Sequence, residues 1–431
     1  MNTAEREATP ARAWFALALL SGLYVLSFVD RFMLALVIDP LKHDLQINDL
    51  QLGVLFGTAF AVFYGASSLP LGRLADTWNR KALIVSCVVL WSACTVASAF
   101  AQNFTTLAIM RFGLAIGEAA LVPAALSLIS DLFPERRRML AGTIFSTCGM
   151  AGAASAYLLG AATLRLLGDY LSSGSAFPVW RASLIAVGLP GIFLAAALAV
   201  LIREPERSHR NNAPTSSMKD LWRHIRSEGF LYPGLFLGAG FMQLVGYAMI
   251  AWGPTMLQRQ YGLSAESAGY GFGIANFIAA VGGTLTIPLV LRWLVTARKF
   301  NLATAMLATN ALCGTFLISI TPMLESSTAF LIAFAAGGFL LAGTTNAILL
   351  SLQPIMPSTM RATLTAAALI CVSSFGLGFG PPLAAAIAGM GADKASALGL
   401  GISVVGVVSL VGAVLCLTAS RKRLAKKLAT V

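Results

Sequence analysis

Twelve apolar windows, each about 20 residues or longer and bounded by charge or by Pro/Gly clusters, dominate the chain. They lie near 13–38, 50–71, 82–101, 104–129, 139–162 and 180–202, and then near 230–254, 267–291, 300–321, 327–353, 363–389 and 396–419. A helix needs about 20 apolar residues to cross roughly 30 Å of hydrocarbon, and in lipid each main-chain amide must be paired within the protein. The windows therefore predict membrane-spanning helices. With 57% hydrophobic and 11% charged residues and a mean hydropathy of +0.79, the chain is too apolar for soluble globular domains. The predicted fold class is an all-α membrane protein with twelve transmembrane helices in two six-helix bundles. The polar, basic stretch 203–229 is the one long break. It separates an N-terminal bundle (1–202) from a C-terminal bundle with a basic tail (230–431) and reads as a cytoplasmic linker. The first window is too long for a signal peptide and lacks a small-residue cleavage end, so it is read as the first membrane helix.

The net charge of +12 raises the question of nucleic acid, but the charges are sorted by side. With a cytoplasmic N-terminus, most of the 30 Lys and Arg residues fall in inside loops and tails, and only Lys42, Arg165, Arg181, Arg259 and Lys394 fall outside. That is the positive-inside pattern of a multi-pass cell-membrane protein with both termini cytoplasmic, and it argues against nucleic-acid binding. The arginine run 136–138 and RKRLAKK at 421–427 then read as topology signals in contact with anionic lipid heads. The cysteines (Cys87, Cys94, Cys148, Cys313, Cys371, Cys416) all lie inside windows as small hydrophobes. His43, His209 and His224 lie in loops, and no Cys/His cluster, Ser/His pair or nucleotide-binding loop is present. The expectation is a monomer without cofactor, metal or catalytic site, and not an enzyme.

The halves echo each other. LQLGVLFGTAF (50–60) carries Gly53 and Gly57, and ESAGYGFGIAN (266–276) carries Gly269 and Gly273. FPERRRMLAGT (133–143) matches MPSTMRATLTA (356–366), Pro134 and Arg138 answering Pro357 and Arg361. Equivalent positions in two six-helix halves indicate a duplicated bundle, a transporter arrangement with the substrate site between the halves near the bilayer midplane.

Directly after the second window, GRLADTWNRK (72–81) resembles the loop motif of the major facilitator superfamily, G-x-x-x-D-R/K-x-G-R-R/K, through Gly72, Asp76, Arg80 and Lys81. It departs at Thr77 and at Asn79, where Asn can still adopt the left-handed turn that Gly would supply. The resemblance implies a cytoplasmic latch in which Asp76 faces a helix N-terminus of the other half, with the eleventh window as the candidate. YVLSFVDR in the first window, WSACT at 91–95 and RFGLAIGEAALVPAALSLISDLFPERRR (111–138) resemble the spinster-like branch, which implies export of sphingolipids, lysophospholipids or related amphiphiles. STCGMAGAASAY (146–157) has no proline, unlike the corresponding motif of drug/proton antiporters.

Four ionisable residues fall in window interiors, all in the first half: Asp30, Arg31, Arg111 and Glu118. A lone charge there costs at least about 2.5 to 3.5 kcal/mol, so such residues face a bundle interior or a wet cavity. Arg111 and Glu118, seven apart, share one helix face, whereas the adjacent Asp30 and Arg31 diverge by about 100°. The expected arrangement pairs Asp30 with Arg111 and leaves Arg31 bordering the cavity. Glu118 and Asp30 are the candidates for proton coupling, and Arg31 and Arg111 for the substrate head group; the family resemblance points to the same four positions. The second half offers mild polarity only, with Gln243, Tyr247 and Asn346 as candidate lining. Such asymmetry suits an amphiphilic lipid carried by alternating access with proton coupling. A symporter of small organic anions and a passive scramblase remain the alternatives.

Overall fold

The computed structural model describes residues 10–171, 177–206, 218–297, 300–352, 356, 361–390 and 397–428. Among them, twelve helices are long and apolar enough to span a membrane, and no strand occurs. The first six are α1 (Pro10–Leu36), α2 (Asp49–Thr77), α3 (Arg80–Ser98), α4 (Phe104–Leu132), α5 (Glu135–Tyr170) and α6 (Val179–Leu201). The second six are α7 (Leu231–Tyr261), α8 (Ala265–Leu294), α9 (Phe300–Ile320), α10 (Ser327–Leu352), α11 (Arg361–Ala388) and α12 (Ala397–Leu428). A short linker helix (Met218–Ser227) precedes α7. Several helices outrun their apolar windows for local reasons. Thus α5 starts at Glu135 because Pro134 sets an extended N-cap and the glutamate favours the positive first turn.

Helix neighbours repeat between the halves. In the first, α1 packs on α5 and α6, α3 on α4 and α6, and α2 on α4; in the second, α7 packs on α11 and α12, α9 on α10 and α12, and α8 on α10. Each pairing reappears six helices later, the architectural counterpart of the sequence echoes. Both α2 and α8 also contain a wide π-turn, at Leu55–Ala59 and Ile278–Gly282. A π-turn inserts one residue and re-aims the face of the helix beyond it.

The chain forms two compact units. Unit 1 comprises Met1–Gln51, Ala59–His209 and Leu263–Ile274; unit 2 comprises Leu52–Thr58, Arg210–Gly262 and Ala275–Val431. Each unit thus takes in one short stretch of the helix that carries a glycine pair. In unit 1, the start of α8 sits on α5, with the Phe272 ring edge-on to Tyr157 at 5.0 Å.

Unit 2 shows why the first glycine pair is needed. A Cβ on Gly57 would lie 2.6 Å from the Leu377 carbonyl oxygen and 2.7 Å from Pro382, and one on Gly53 would lie 2.9 Å from the Pro381 oxygen. The contact is polar as well. Pro381 and Pro382 lie inside α11, and their missing N–H groups leave the carbonyls four residues earlier, Leu377 and Gly378, without helical donors. Thr58 Oγ1 donates to Gly378 O at 2.5 Å, and Trp252 Nε1 of α7 donates to Pro381 O at 3.0 Å. Gly57→Leu is expected to destabilise the protein by about 1 to 3 kcal/mol through overpacking. The readout is the thermal unfolding midpoint in detergent. Gly72→Leu is the control, since a Cβ there meets nothing within 4 Å.

Candidate functional site

The four membrane-embedded charges converge inside unit 1, where α1 meets α4. The α4 span breaks locally into Phe104–Glu118 and Leu121–Leu132. Pro123 explains the break: it cannot donate to the Ala119 carbonyl, and its ring crowds that turn. Glu118 is therefore the last residue of an ordered helical segment, beside a weakened one.

The pairing differs from the arrangement expected from sequence. Arg31 forms the ion pair with Glu118, through Nε to Oε2 at 3.1 Å and through Nη2 to the same oxygen. Arg111 does not form an ion pair with Asp30. Its Nη1 donates to the Asp30 main-chain carbonyl at 3.2 Å. The reason is side-chain reach. An arginine stem covers about one helical turn, so Arg31 extends from α1 to the level of Glu118, while Arg111 spans to the α1 backbone. The shared face of Arg111 and Glu118 puts both against α1, as their spacing requires.

Burial separates the roles open to the four. Asp30 is fully buried, Arg111 and Glu118 nearly so, while the Arg31 side chain keeps 21% of its surface exposed. Three aromatic rings frame its guanidinium, Phe60 at 4.4 Å, Phe28 at 5.1 Å and Tyr64 at 5.5 Å. Cation–π contacts of this kind hold a charge in an apolar wall without neutralising it. Behind Arg31 the cluster is under-satisfied. Among the described residues, Arg111 Nε and Nη2 and Glu118 Oε1 are buried without a protein hydrogen-bond partner. The Trp91 indole N–H faces the Asp30 carboxyl group. The aromatic frame and Trp91 were not legible as site residues, because rings in apolar windows read as ordinary membrane filler.

Of the residues expected to line a cavity from the second half, Gln243 and Tyr247 are half-buried on α7 and pack on Gly376 of α11, within unit 2. The Asn346 and Arg361 side chains lie outside the described residues, as does Pro357. Arg138 is partly buried near the start of α5, with Nε lacking a partner.

The loop motif is resolved in detail. Asn79 does not adopt a left-handed turn. At φ −64° and ψ 112° it is the N-cap of α3, accepting the Ala82 amide at 2.7 Å, because an extended Asn can satisfy one of the free helix-start donors. Arg80 is 1% exposed and fully engaged within unit 1: to Asp131, to Glu204 Oε1 at 2.8 Å, to Ser127 O at 3.1 Å and to Pro205 O at 3.2 Å. The Lys81 amide completes the cluster by donating to Glu204 Oε2 at 2.8 Å. Asp76 is exposed and Gly72 half-buried. Asp131 and Glu204, unremarked in the sequence, tie the start of α3 to the ends of α4 and α6. Arg80→Ala leaves two carboxylates without their partner and is expected to cost of the order of 3 kcal/mol. Arg80→Lys should recover only part of this, since an ammonium lacks the fork that serves several acceptors at once. Thermal unfolding of the two variants provides the comparison.

Comparison with known proteins places this geometry. The family model described as Major Facilitator Superfamily matches residues 20–381. An MFS-type efflux pump of Mycolicibacterium smegmatis is 30% identical over 282 residues, covering 64% of this chain and 62% of the relative. Protein spinster of Drosophila melanogaster is 27% identical over 289 residues, covering 64% of this chain and 45% of the relative. The chain thus spans less than two thirds of the length of either relative. A solved bacterial homologue of the human lysosomal transporter Spinster, inward-facing and unoccupied, superposes with a TM-score of 0.84 at 25% identity, covering 97% of this chain and 98% of that one. The chain belongs to the Major Facilitator Superfamily of membrane transporters, on its spinster-like branch.

Proposed function

We propose that the protein moves an amphiphilic lipid of lysophospholipid or sphingoid type across the membrane by alternating access, coupled to protons. The observation that carries this reading is the Arg31–Glu118 pair. One partner is half-open and framed by aromatic rings, and the other is sealed. An anionic head group competes with Glu118 for Arg31, whose fork suits phosphate and carboxylate oxygens alike. Once Arg31 turns to the head group, Glu118 is left buried without its partner, a strongly unfavourable state for an ionised carboxylate. Taking up a proton relieves it. The head group and the proton therefore bind together, and both leave when Arg31 returns to Glu118. Asp30 and Arg111 hold the frame in this reading, Arg111 through the α1 backbone, with Asp30 as the second proton carrier. The apolar windows of the second half, which carry no interior charge, suit an acyl chain. The two six-helix bundles at 1–202 and 230–431, joined by the cytoplasmic linker 203–229, are the moving parts.

The test is flux in proteoliposomes loaded with a labelled lysolipid, with and without an imposed pH gradient. Wild type should accumulate the lysolipid when the gradient is present. Glu118→Gln should lose the gradient dependence while surface expression is retained. Arg31→Ala should weaken lysolipid binding by at least about tenfold, the value of one charge-assisted hydrogen bond. Accumulation of short organic acids alone would replace the lipid with a small anion as substrate. Flux that never builds a gradient would make the protein a passive scramblase.

A further inference from the structure

The linker helix (Met218–Ser227) stands apart from the spans, yet it is held in place within unit 2. Ile225 packs against a buried cluster that includes Tyr232, Leu235 and Leu364, and His224 Nε2 lies 3.3 Å from the Tyr232 hydroxyl. At the helix's C-terminal end, Gly229 takes φ +59°, a left-handed conformation that favours glycine. Arg423 of α12 donates to the neighbouring Glu228 carbonyl at 2.6 Å. The span of α7 opens at Leu231, so chain connectivity keeps the linker helix at the membrane surface.

Its residues are sorted around the helix. At about 100° per residue, Arg223 and Arg226 lie roughly 60° apart on one flank, and Ile225 is turned about 100° away from Arg226. Trp222 occupies the border between them. It is 56% exposed, and the Arg226 guanidinium lies over its ring at 5.2 Å. With Ile225 turned to the protein, the exposed indole beside a cationic flank suits a lipid–water boundary, where such a ring sits at head-group level. Arg423 of α12, held at Glu228 O, adds charge of the same sign.

We propose that this helix is a docking surface for the anionic phospholipids of the adjoining leaflet. The flank of Arg223 and Arg226 takes the head groups, and Trp222 enters the boundary between heads and chains. The site lies outside the transport cluster and does not depend on it. The binding is electrostatic and reversible, and it tethers to one leaflet the segment that leads into α7.

Hydrogen exchange over residues 218–229 tests the proposal, on full-length protein in nanodiscs of phosphatidylcholine alone or with a third of phosphatidylglycerol. Exchange should slow by about tenfold in the anionic discs, and the Arg223→Gln/Arg226→Gln double variant should lose the difference. Peptides from α3 should exchange alike in all samples, reporting an intact fold. Equal exchange of wild type in the two bilayers would overturn the proposal. So would the same slowing produced by inorganic phosphate in neutral discs, which would assign the site to a free anion.

Discussion

The first half is organised by the need to keep charge in the membrane at tolerable cost. Two residues of α4, Arg111 and Glu118, meet it in different ways on the same helix: Arg111 donates to a main-chain carbonyl of α1, and Glu118 accepts from a side chain of α1. The main-chain bond has one geometry and is structural. The side-chain bond involves a long, rotatable arginine and has no single geometry imposed by the backbone.

The cluster around Arg80 has the opposite character. Its donors reach two carboxylates and the main-chain carbonyls of Ser127 and Pro205, and the side chain is excluded from solvent. Nothing there is left to exchange. The motif residues of 72–81 thus divide between a sealed joint at Arg80 and an exposed acid at Asp76.

The number of spans, their order and the location of the interior charges were legible in the sequence, because lipid imposes a long apolar window and makes every charge within it conspicuous. Pairing was not. The depth of a Cα predicted Asp30 with Arg111, whereas the reach of the arginine stem decided for Arg31 with Glu118. Asn79 was misread for a related reason. The motif pointed to a left-handed turn, but the free amides at the start of α3 made N-capping the better use of the side chain. The partners of Arg80 escaped notice because Asp131 and Glu204 lie far away in sequence, and a carboxylate near a helix end is otherwise unremarkable. Rings within apolar windows gave no sign that three of them enclose a guanidinium.

The bond from Thr58 to Gly378 exists because Pro382 has vacated that carbonyl. The two positions are therefore interdependent. With alanine at 382, the amide of that residue becomes the natural donor to Gly378, and the Thr58 hydroxyl becomes redundant. With proline at 382, loss of the hydroxyl strands a main-chain acceptor. Substitutions at the two sites should not add, and sequence drift at one constrains what the other can tolerate, although they lie on different helices and are more than three hundred residues apart in the chain.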